Sequence, residues 1–194
     1  GFGQEYELLH EIKIGEHKYY QVNKQVAKRY FSAQDVTIPD ARDGIFQKEK
    51  SHNTFRIFCL GGSTTAGFPY QYNATFPSLL NDRLERLFPE KYFEVINFGI
   101  SAINSYSVLD FTQELVNYDP DLFLIYMGHN EFYGALGVAS TQKIGENRDF
   151  VKFYLKMEKF KLFQLLRQIV YKIKGASKKQ TGNKTLMESV VADQ

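Results

Sequence analysis

The sequence lacks tryptophan and has a single cysteine among its 194 residues. One cysteine, Cys59, cannot form an internal disulfide, and no group of cysteine and histidine residues has the spacing of a zinc site. No apolar run reaches the roughly 20 residues that a membrane-spanning helix needs. The net charge of +2 is too small to indicate nucleic-acid binding. These absences exclude a disulfide scaffold and leave no support for a zinc module, a membrane-spanning helix or a nucleic-acid partner.

The composition that remains is that of a globular protein. Hydrophobic residues make up 43% of the chain and charged residues 24%, which is enough apolar surface for a core. The length fits one domain with an added arm or helix.

Three short apolar runs, each ending at glycine, form the central part of the chain. Nearly continuous apolar runs bounded by glycine are typical of strands that are buried on both faces of a parallel sheet. The runs are Thr54 to Leu60, Glu94 to Phe98 and Asp121 to Met127, and they end at Gly61-Gly62, Gly99 and Gly128.

Two amphipathic segments separate these runs. The first places Phe76, Leu79, Leu80, Leu84 and Leu87 on one helical face, with Thr75 as its cap and Pro77 in its first turn. The second places Val108, Leu109, Thr112, Leu115 and Val116 on one face, after Ser105 or Ser107 as cap. The order β-α-β-α-β predicts a three-layer α/β/α sandwich with a parallel sheet and right-handed crossovers, as in flavodoxin-like folds.

The central part, residues 54–148, has a flanking segment on each side. Residues 1–53 are polar and tyrosine-rich, and we interpret them as an N-terminal arm packed on the following domain. Residues 149–194 consist of a basic amphipathic helix over 149–174 and a polar tail. The favoured interpretation is that this helix packs on the domain with its lysines solvated. The alternative is that it lies on a membrane surface.

The ends of the three predicted strands carry small and polar residues suited to one kind of chemistry. In an open parallel α/β sheet, ligands bind beyond the carboxyl ends of the strands, so Ser63, Gly99 and Asn130 should converge on one edge. A serine that attacks an acyl carbon creates an oxyanion, which needs hydrogen-bond donors aimed at it in advance. The backbone N–H groups of Ser63 and Gly99 and the side-chain amide of Asn130 are the candidate donors.

These motifs resemble those of the SGNH hydrolases, also called the GDSL-like esterase and lipase family, over about residues 54–135. Gly61-Gly62-Ser63-Thr64 resembles the first block, usually Gly-Asp-Ser, with glycine at the aspartate position and Ser63 as nucleophile. Gly99 matches the second block. Gly128-His129-Asn130-Glu131 resembles the third, usually Gly-x-Asn-Asp, with Asn130 in the oxyanion hole. The resemblance implies an SGNH-type α/β/α fold and no cofactor. Within the family, the chain most resembles a subgroup of larger bacterial members that have an N-terminal arm.

The family's fourth block, Asp-x-x-His, has no counterpart in this chain. The four histidines are His10, His17, His52 and His129, and none lies in such a pattern. The family sheet has five strands and only three are predicted here. We therefore expect the fold to be incomplete at its C-terminus, either in a fragment or with its second half on another chain. Without an evident base, a hydrolase keeps only about 10³–10⁴-fold catalysis over water.

Simpler interpretations of the same residues remain open. The loop after the first run lacks the lysine of a Walker motif, so phosphate binding is unsupported. His129 is either a base or, as favoured, structural. Cys59 is expected to be a buried, inert thiol, and Glu131 to bond nearby backbone. Tyrosines in the loops after the motifs line a substrate pocket or only pack on the surface, namely Tyr70, Tyr72 and Tyr133.

The resemblance implies a serine esterase that acts on small acyl esters, lipids or acetylated carbohydrate through an acyl-Ser63 intermediate. The competing hypothesis is a non-catalytic binding or scaffold module that keeps the oxyanion edge. The expected partner is a small-molecule ester, with no nucleic acid and no metal. Two further candidates are a missing C-terminal half and, in the alternative interpretation of residues 149–174, a membrane surface. The resemblance favours the cell envelope or periplasm of a bacterium.

Overall fold

The computed structural model describes residues 6–31, 38–70 and 72–131, together with positions 149, 153, 156, 157, 160–166 and 169. Predictions for other positions, including Tyr133 and the whole polar tail, lie outside the described residues.

The N-terminal arm contains a small antiparallel sheet that the sequence pattern did not predict. Its strands are β1 (Leu9–Ile14), β2 (His17–Val22) and β3 (Ile45–Gln47), in the order β1-β2-β3. β1 and β2 form a hairpin whose two-residue turn begins at Gly15, with φ of +60°. Two-residue hairpin turns require such positive φ angles, which glycine adopts without steric cost. A 3₁₀ helix follows at Val26–Arg29.

The predicted parallel sheet is confirmed. Its strands are β4 (Thr54–Gly61), β5 (Tyr92–Asn97) and β6 (Leu122–Tyr126), in the order β5-β4-β6 with both pairings parallel. Helix α1 (Ser63–Ala66) follows β4 directly, α2 (Phe76–Leu87) leads to β5, and α3 (Ser105–Leu115) leads to β6. The chain is therefore a mixed α/β structure with a three-stranded parallel sheet flanked by helices.

The start of one helix was predicted correctly and that of the other was not. The Thr75 hydroxyl oxygen accepts a hydrogen bond from the Ser78 N–H at 3.3 Å, as expected for the cap of α2. In α3 the cap is Asn104, whose Oδ1 accepts from the Tyr106 N–H at 3.2 Å. Ser105 is instead the first residue of the helix. Asparagine is as good a cap as serine, so the two could not be separated by type alone.

The helical faces that meet the sheet differ in part from the predicted ones. In α2, Leu79 and Leu87 are exposed, and the residues that pack on the sheet are Phe76, Leu80 and Leu84. In α3, Leu109 and Val116 are exposed, and the buried face consists of Ser107, Val108, Phe111 and Leu115. Which part of a helix's wide apolar stripe is buried depends on the elements that pack against that helix.

The core has one cluster on each face of the parallel sheet. Side chains alternate along β4, so Phe58 and Leu60 belong to one cluster while Ile57 and Cys59 belong to the other. The smaller cluster lies under α2. The larger one joins β4, β5 and α3 to arm residues that include Val22, Val26, Tyr30 and Phe46. The arm is thus part of the layer that covers this face.

A buried ion pair joins the arm to the amino-terminal end of the sheet. Arg56 on β4 is only 1% exposed, and its Nε donates to Glu94 Oε2 at 2.7 Å. Its other guanidinium nitrogens donate to the carbonyl oxygens of Tyr118 and Gln47, each at 2.7 Å. The Gln47 N–H in turn donates to Glu94 Oε1 at 2.8 Å. Each guanidinium nitrogen and each carboxylate oxygen therefore has a hydrogen-bond partner, which offsets the cost of burying the two charges.

Two apolar surfaces are left uncovered in the part of the chain that the structure describes. On β6, the side chains of Leu122, Ile125 and Tyr126 are about half exposed, although parallel strands are normally covered on both faces. Between residues 149 and 169, Phe163 and Leu165 are half-buried. Five other large apolar side chains described there are exposed, namely Phe153, Phe160, Leu162, Leu166 and Ile169. Among the described helices, none combines the length and apolar character needed to cross a membrane.

Candidate active site

The turn that presents Ser63 depends on two glycines at the end of β4. A Cβ on Gly61 would collide with the Tyr126 carbonyl oxygen and with the Thr65 side chain. Gly62 is extended, with φ of −82° and ψ of −152°, and Ser63 is the first residue of α1. Ser63 is half-buried. Its backbone N–H has no acceptor within the helix, because the first N–H groups of a helix never do.

Asn130 reaches the same turn from the segment after β6. Its Nδ2 donates to the Ile103 carbonyl oxygen at 3.0 Å, and that bond defines which end of the amide carries the hydrogens. A Cβ built on Gly62 would lie 2.7 Å from Asn130 Nδ2. The Asn130 amide therefore occupies the space that a side chain at position 62 would need. One Nδ2 hydrogen is used by Ile103, and the second is available beside the Ser63 turn.

Gly99 packs directly against the backbone of α1. A Cβ on Gly99 would lie 2.6 Å from the Thr65 carbonyl carbon and would also collide with the Ala66 nitrogen. The Gly99 N–H donates to Asn97 Oδ1 at 2.8 Å, and Asn97 Nδ2 donates to the Thr65 carbonyl oxygen at 2.8 Å. A Gly99 N–H that serves an oxyanion must share or exchange its bond to Asn97.

Glu131, which follows Asn130 in the chain, is anchored to the start of α3. Its Oε1 accepts from the Ser105 N–H at 3.0 Å, and its Oε2 accepts from the Ser105 hydroxyl at 2.7 Å. A carboxylate at the first turn of α3 satisfies a free backbone donor and interacts favourably with the helix dipole. The expectation that Glu131 bonds nearby backbone is confirmed.

No base for the serine is found among the described residues. The Ser63 hydroxyl has no hydrogen-bond partner there. His10 and His17 lie on β1 and β2, and His52 precedes β4 at the opposite end of the sheet from Ser63. His129 is on the correct edge, but it is exposed and its ring lies 5.9 Å from that of Tyr126.

Two other sequence interpretations concern groups near the sheet. Burial raises the pKa of the Cys59 thiol to about 12, so the thiol is protonated at neutral pH, as expected of an inert core cysteine.

Tyr70 is exposed in the loop after α1, and the side chain of Tyr72 lies outside the described residues. Within the described ranges no three His, Cys, Asp or Glu side chains are grouped so as to hold a metal ion.

Sequence reasoning missed Arg42, an arm residue that contacts the nucleophile segment. Its Nε donates to the Ala66 carbonyl oxygen at 2.5 Å and its Nη2 to the Tyr70 carbonyl oxygen at 3.2 Å. A lone arginine in a polar turn carries no local signal of this role, because its partners are more than twenty residues away in the sequence.

The family model described as GDSL-like Lipase/Acylhydrolase matches residues 57–173, which is more than half of the chain. The chain belongs to the GDSL-like lipase/acylhydrolase family. Members of this SGNH hydrolase family are typically serine esterases, and the motifs around Ser63, Gly99 and Asn130 all lie within the matched range.

Solved structures of one esterase resemble part of the chain. They are the crystal structure of AlinE4, a SGNH-hydrolase family esterase, and a point mutant of the same esterase. Each is 20% identical, covers 43% of this chain and 44% of its own, and has a TM-score of 0.36. The chain thus spans less than half the length of that esterase. Comparison with curated proteins gave no match.

Proposed function

We propose that this chain carries the nucleophile and the oxyanion-binding edge of a serine ester hydrolase, with acyl-Ser63 as the intermediate. The observation that carries the proposal is the Asn130 amide, whose Nδ2 lies against Gly62 at the Ser63 turn in a member of this family. The substrates are small acyl esters, lipids or acetylated carbohydrate.

The chemistry follows from the positions of these groups. The Ser63 hydroxyl oxygen attacks the ester carbonyl and gives its proton to a base, and the carbonyl oxygen becomes an oxyanion. The Ser63 N–H, the free Asn130 Nδ2 hydrogen and the Gly99 N–H, once released from Asn97, stabilise that charge. The alcohol leaves with a proton, and water then attacks acyl-Ser63 by the same steps in reverse.

The base is proposed to lie on polypeptide that packs against β6. The half-exposed Leu122, Ile125 and Tyr126 side chains support this, since the apolar side chains of a parallel strand are normally covered. A strand and helix added there extend the same sheet, and their loops reach the Ser63 edge. The competing function is a binding or scaffold module in which no such polypeptide is present.

Fluorophosphonate labelling tests the nucleophile. Labelling would be measured on this chain and on a longer form of the protein that includes downstream sequence, with Ser63→Ala as the control. We expect the longer form to take label at Ser63 and the variant to take none. A folded longer form that takes no label rules out the hydrolase and favours the binding module. Label on the longer form alone places the base downstream.

A second candidate function, membrane-surface association through residues 149–174, is favoured by the exposed apolar side chains of this segment. Leu162, Leu166 and Ile169 are spaced on one helical face, and Lys156 and Lys161 are exposed nearby. Apolar insertion combined with lysine attraction to anionic lipid is the pattern of helices that lie in the membrane interface.

Vesicle co-sedimentation tests this association. The double variant Leu162→Ser/Leu166→Ser would be compared with Leu79→Ser/Leu87→Ser, which changes two exposed leucines of α2. We expect the full chain and the α2 variant to sediment with anionic vesicles and the first variant to remain in solution. Equal sedimentation of both variants contradicts the proposal, as does sedimentation without vesicles, which indicates self-association.

A further inference from the structure

The loop that follows the nucleophile helix is held in one backbone conformation. It begins at Gly67, whose φ is +81°, and a Cβ there would collide with the Thr75 side chain. The Phe68 N–H donates to the Ser63 carbonyl oxygen at 2.9 Å, and the Tyr70 N–H donates to the Gly67 carbonyl oxygen at 2.6 Å. The loop is thus tied by its own backbone to the residue that carries the nucleophile.

Arg42 closes this loop from the arm. Its guanidinium bonds the carbonyl oxygens of Ala66 and Tyr70, which lie on either side of Gly67 and Phe68. Hydrogen bonds from a charged donor are stronger than neutral ones, and one planar group that bonds two carbonyls also fixes their separation. The arm therefore contributes to the shape of the active-site edge and not only to the core.

The side chains on this fixed loop are apolar and face solvent. Phe68 is 69% exposed and Tyr70 is 68% exposed, with Pro69 exposed between them. Neither ring contacts another aromatic ring among the described residues. Three consecutive exposed apolar residues, on a loop whose backbone is hydrogen-bonded to the Ser63 carbonyl oxygen, match a preorganised binding surface better than a chance surface feature.

We propose that Phe68 and Tyr70 form an apolar platform for the acyl chain of the substrate, and that Arg42 is the positioning residue that holds it. The inference rests on Ser63 being the acyl acceptor, and it narrows the substrate class to esters of straight-chain apolar acids longer than acetate. Each methylene laid on the platform tightens binding by up to about fourfold. A charged or heavily hydroxylated acyl group gains nothing there.

Binding of short carboxylates to the Ser63→Ala chain tests this without any need for catalysis. Affinities for acetate, butyrate, hexanoate and octanoate would be measured by NMR titration. We expect affinity to rise with chain length, and Phe68→Ser to abolish most of that rise while leaving acetate binding unchanged. Tyr92→Ser, which changes a tyrosine of 56% exposure at the other end of the sheet, should leave the rise intact.

The Arg42 variants test its positioning role. Arg42→Ala should flatten the chain-length dependence, and Arg42→Lys should restore part of it, whereas a purely structural role predicts equal loss for acetate and octanoate. If the affinity of Phe68→Ser still rises with chain length as before, the platform proposal is wrong. It is also wrong if Tyr92→Ser loses as much of this rise as Phe68→Ser. The carboxylates bind without the Ser63 hydroxyl, so a negative binding result contradicts only the platform proposal. Failed fluorophosphonate labelling contradicts the proposed hydrolase function instead.

Discussion

Replacing Asn130 tests the oxyanion edge most directly. Its Nδ2 carries two hydrogens, of which one is donated to the Ile103 carbonyl oxygen at 3.0 Å. The other is the hydrogen that we assign to the oxyanion. Asn130→Ala removes both, and losing one oxyanion donor typically lowers the rate by about 10²–10³. Losing the Ile103 bond costs about 1 kcal/mol of stability, a modest amount for a half-buried group.

The assay is the second-order rate of fluorophosphonate incorporation at Ser63, measured in the form of the protein that labels. Glu131→Gln is the matched control, since Glu131 adjoins Asn130 but bonds Ser105 at the start of α3. The Gln variant keeps one acceptor oxygen and the backbone position of Asn130. We expect its labelling rate to fall by less than about tenfold, as the loss of one modest hydrogen bond allows.

Asn130→Asp distinguishes the loss of a hydrogen-bond donor from a change in side-chain volume. The side chain has nearly the same volume, but a carboxylate has no hydrogen to donate, and one of its oxygens would face the Ile103 carbonyl oxygen. We expect labelling as slow as in Asn130→Ala and unfolding at a lower urea concentration. A folded Asn130→Ala protein that labels at the wild-type rate would refute the assignment of Asn130 to the oxyanion.

Three further predictions concern the structure around the site. Gly99→Ala should unfold at lower urea concentration and lose labelling, because the new methyl group would lie 2.6 Å from the Thr65 carbonyl carbon; wild-type behaviour in both measurements would contradict this. Arg56→Met should lower the free energy of unfolding by about 3–5 kcal/mol in urea titrations, since it leaves Glu94 buried and unpaired, and Arg56→Met/Glu94→Leu should regain much of it. Cys59 should resist thiol reagents in the native protein at pH 8, because burial raises the pKa of its thiol from 9.0 to about 12. Above pH 9 the unfolded chain loses this proton while the native state keeps it, so the free energy of unfolding should fall as pH rises.

Local patterns in the sequence were enough to predict the parallel sheet and its helices. Glycine-bounded apolar runs predicted β4, β5 and β6 to within two residues, because strands buried on both faces have few other compositions. The cap of α2 at Thr75 was also predictable, since a cap bonds a backbone N–H three residues away.

Long-range contacts were not predictable in the same way. β1 and β2 have only six residues each, without a regular alternation of polar and apolar residues, and β3 has three, so their pairing depends on the core that they cover. The bonds of Arg42 to the α1 loop and of Arg56 to Glu94 join residues 24 and 38 positions apart. No local rule selects such partners.

The sequence by itself determined which residues stand at the carboxyl ends of the parallel strands, and therefore that Ser63, Gly99 and Asn130 belong to one edge. Only the tertiary structure decided how they meet. Gly62 leaves room for the Asn130 amide, Gly99 lies against the α1 backbone, and Arg42 reaches in from the arm. The difference has a physical reason: strand ends follow from local composition, whereas contacts below 3 Å depend on the packing of segments that are distant in the chain.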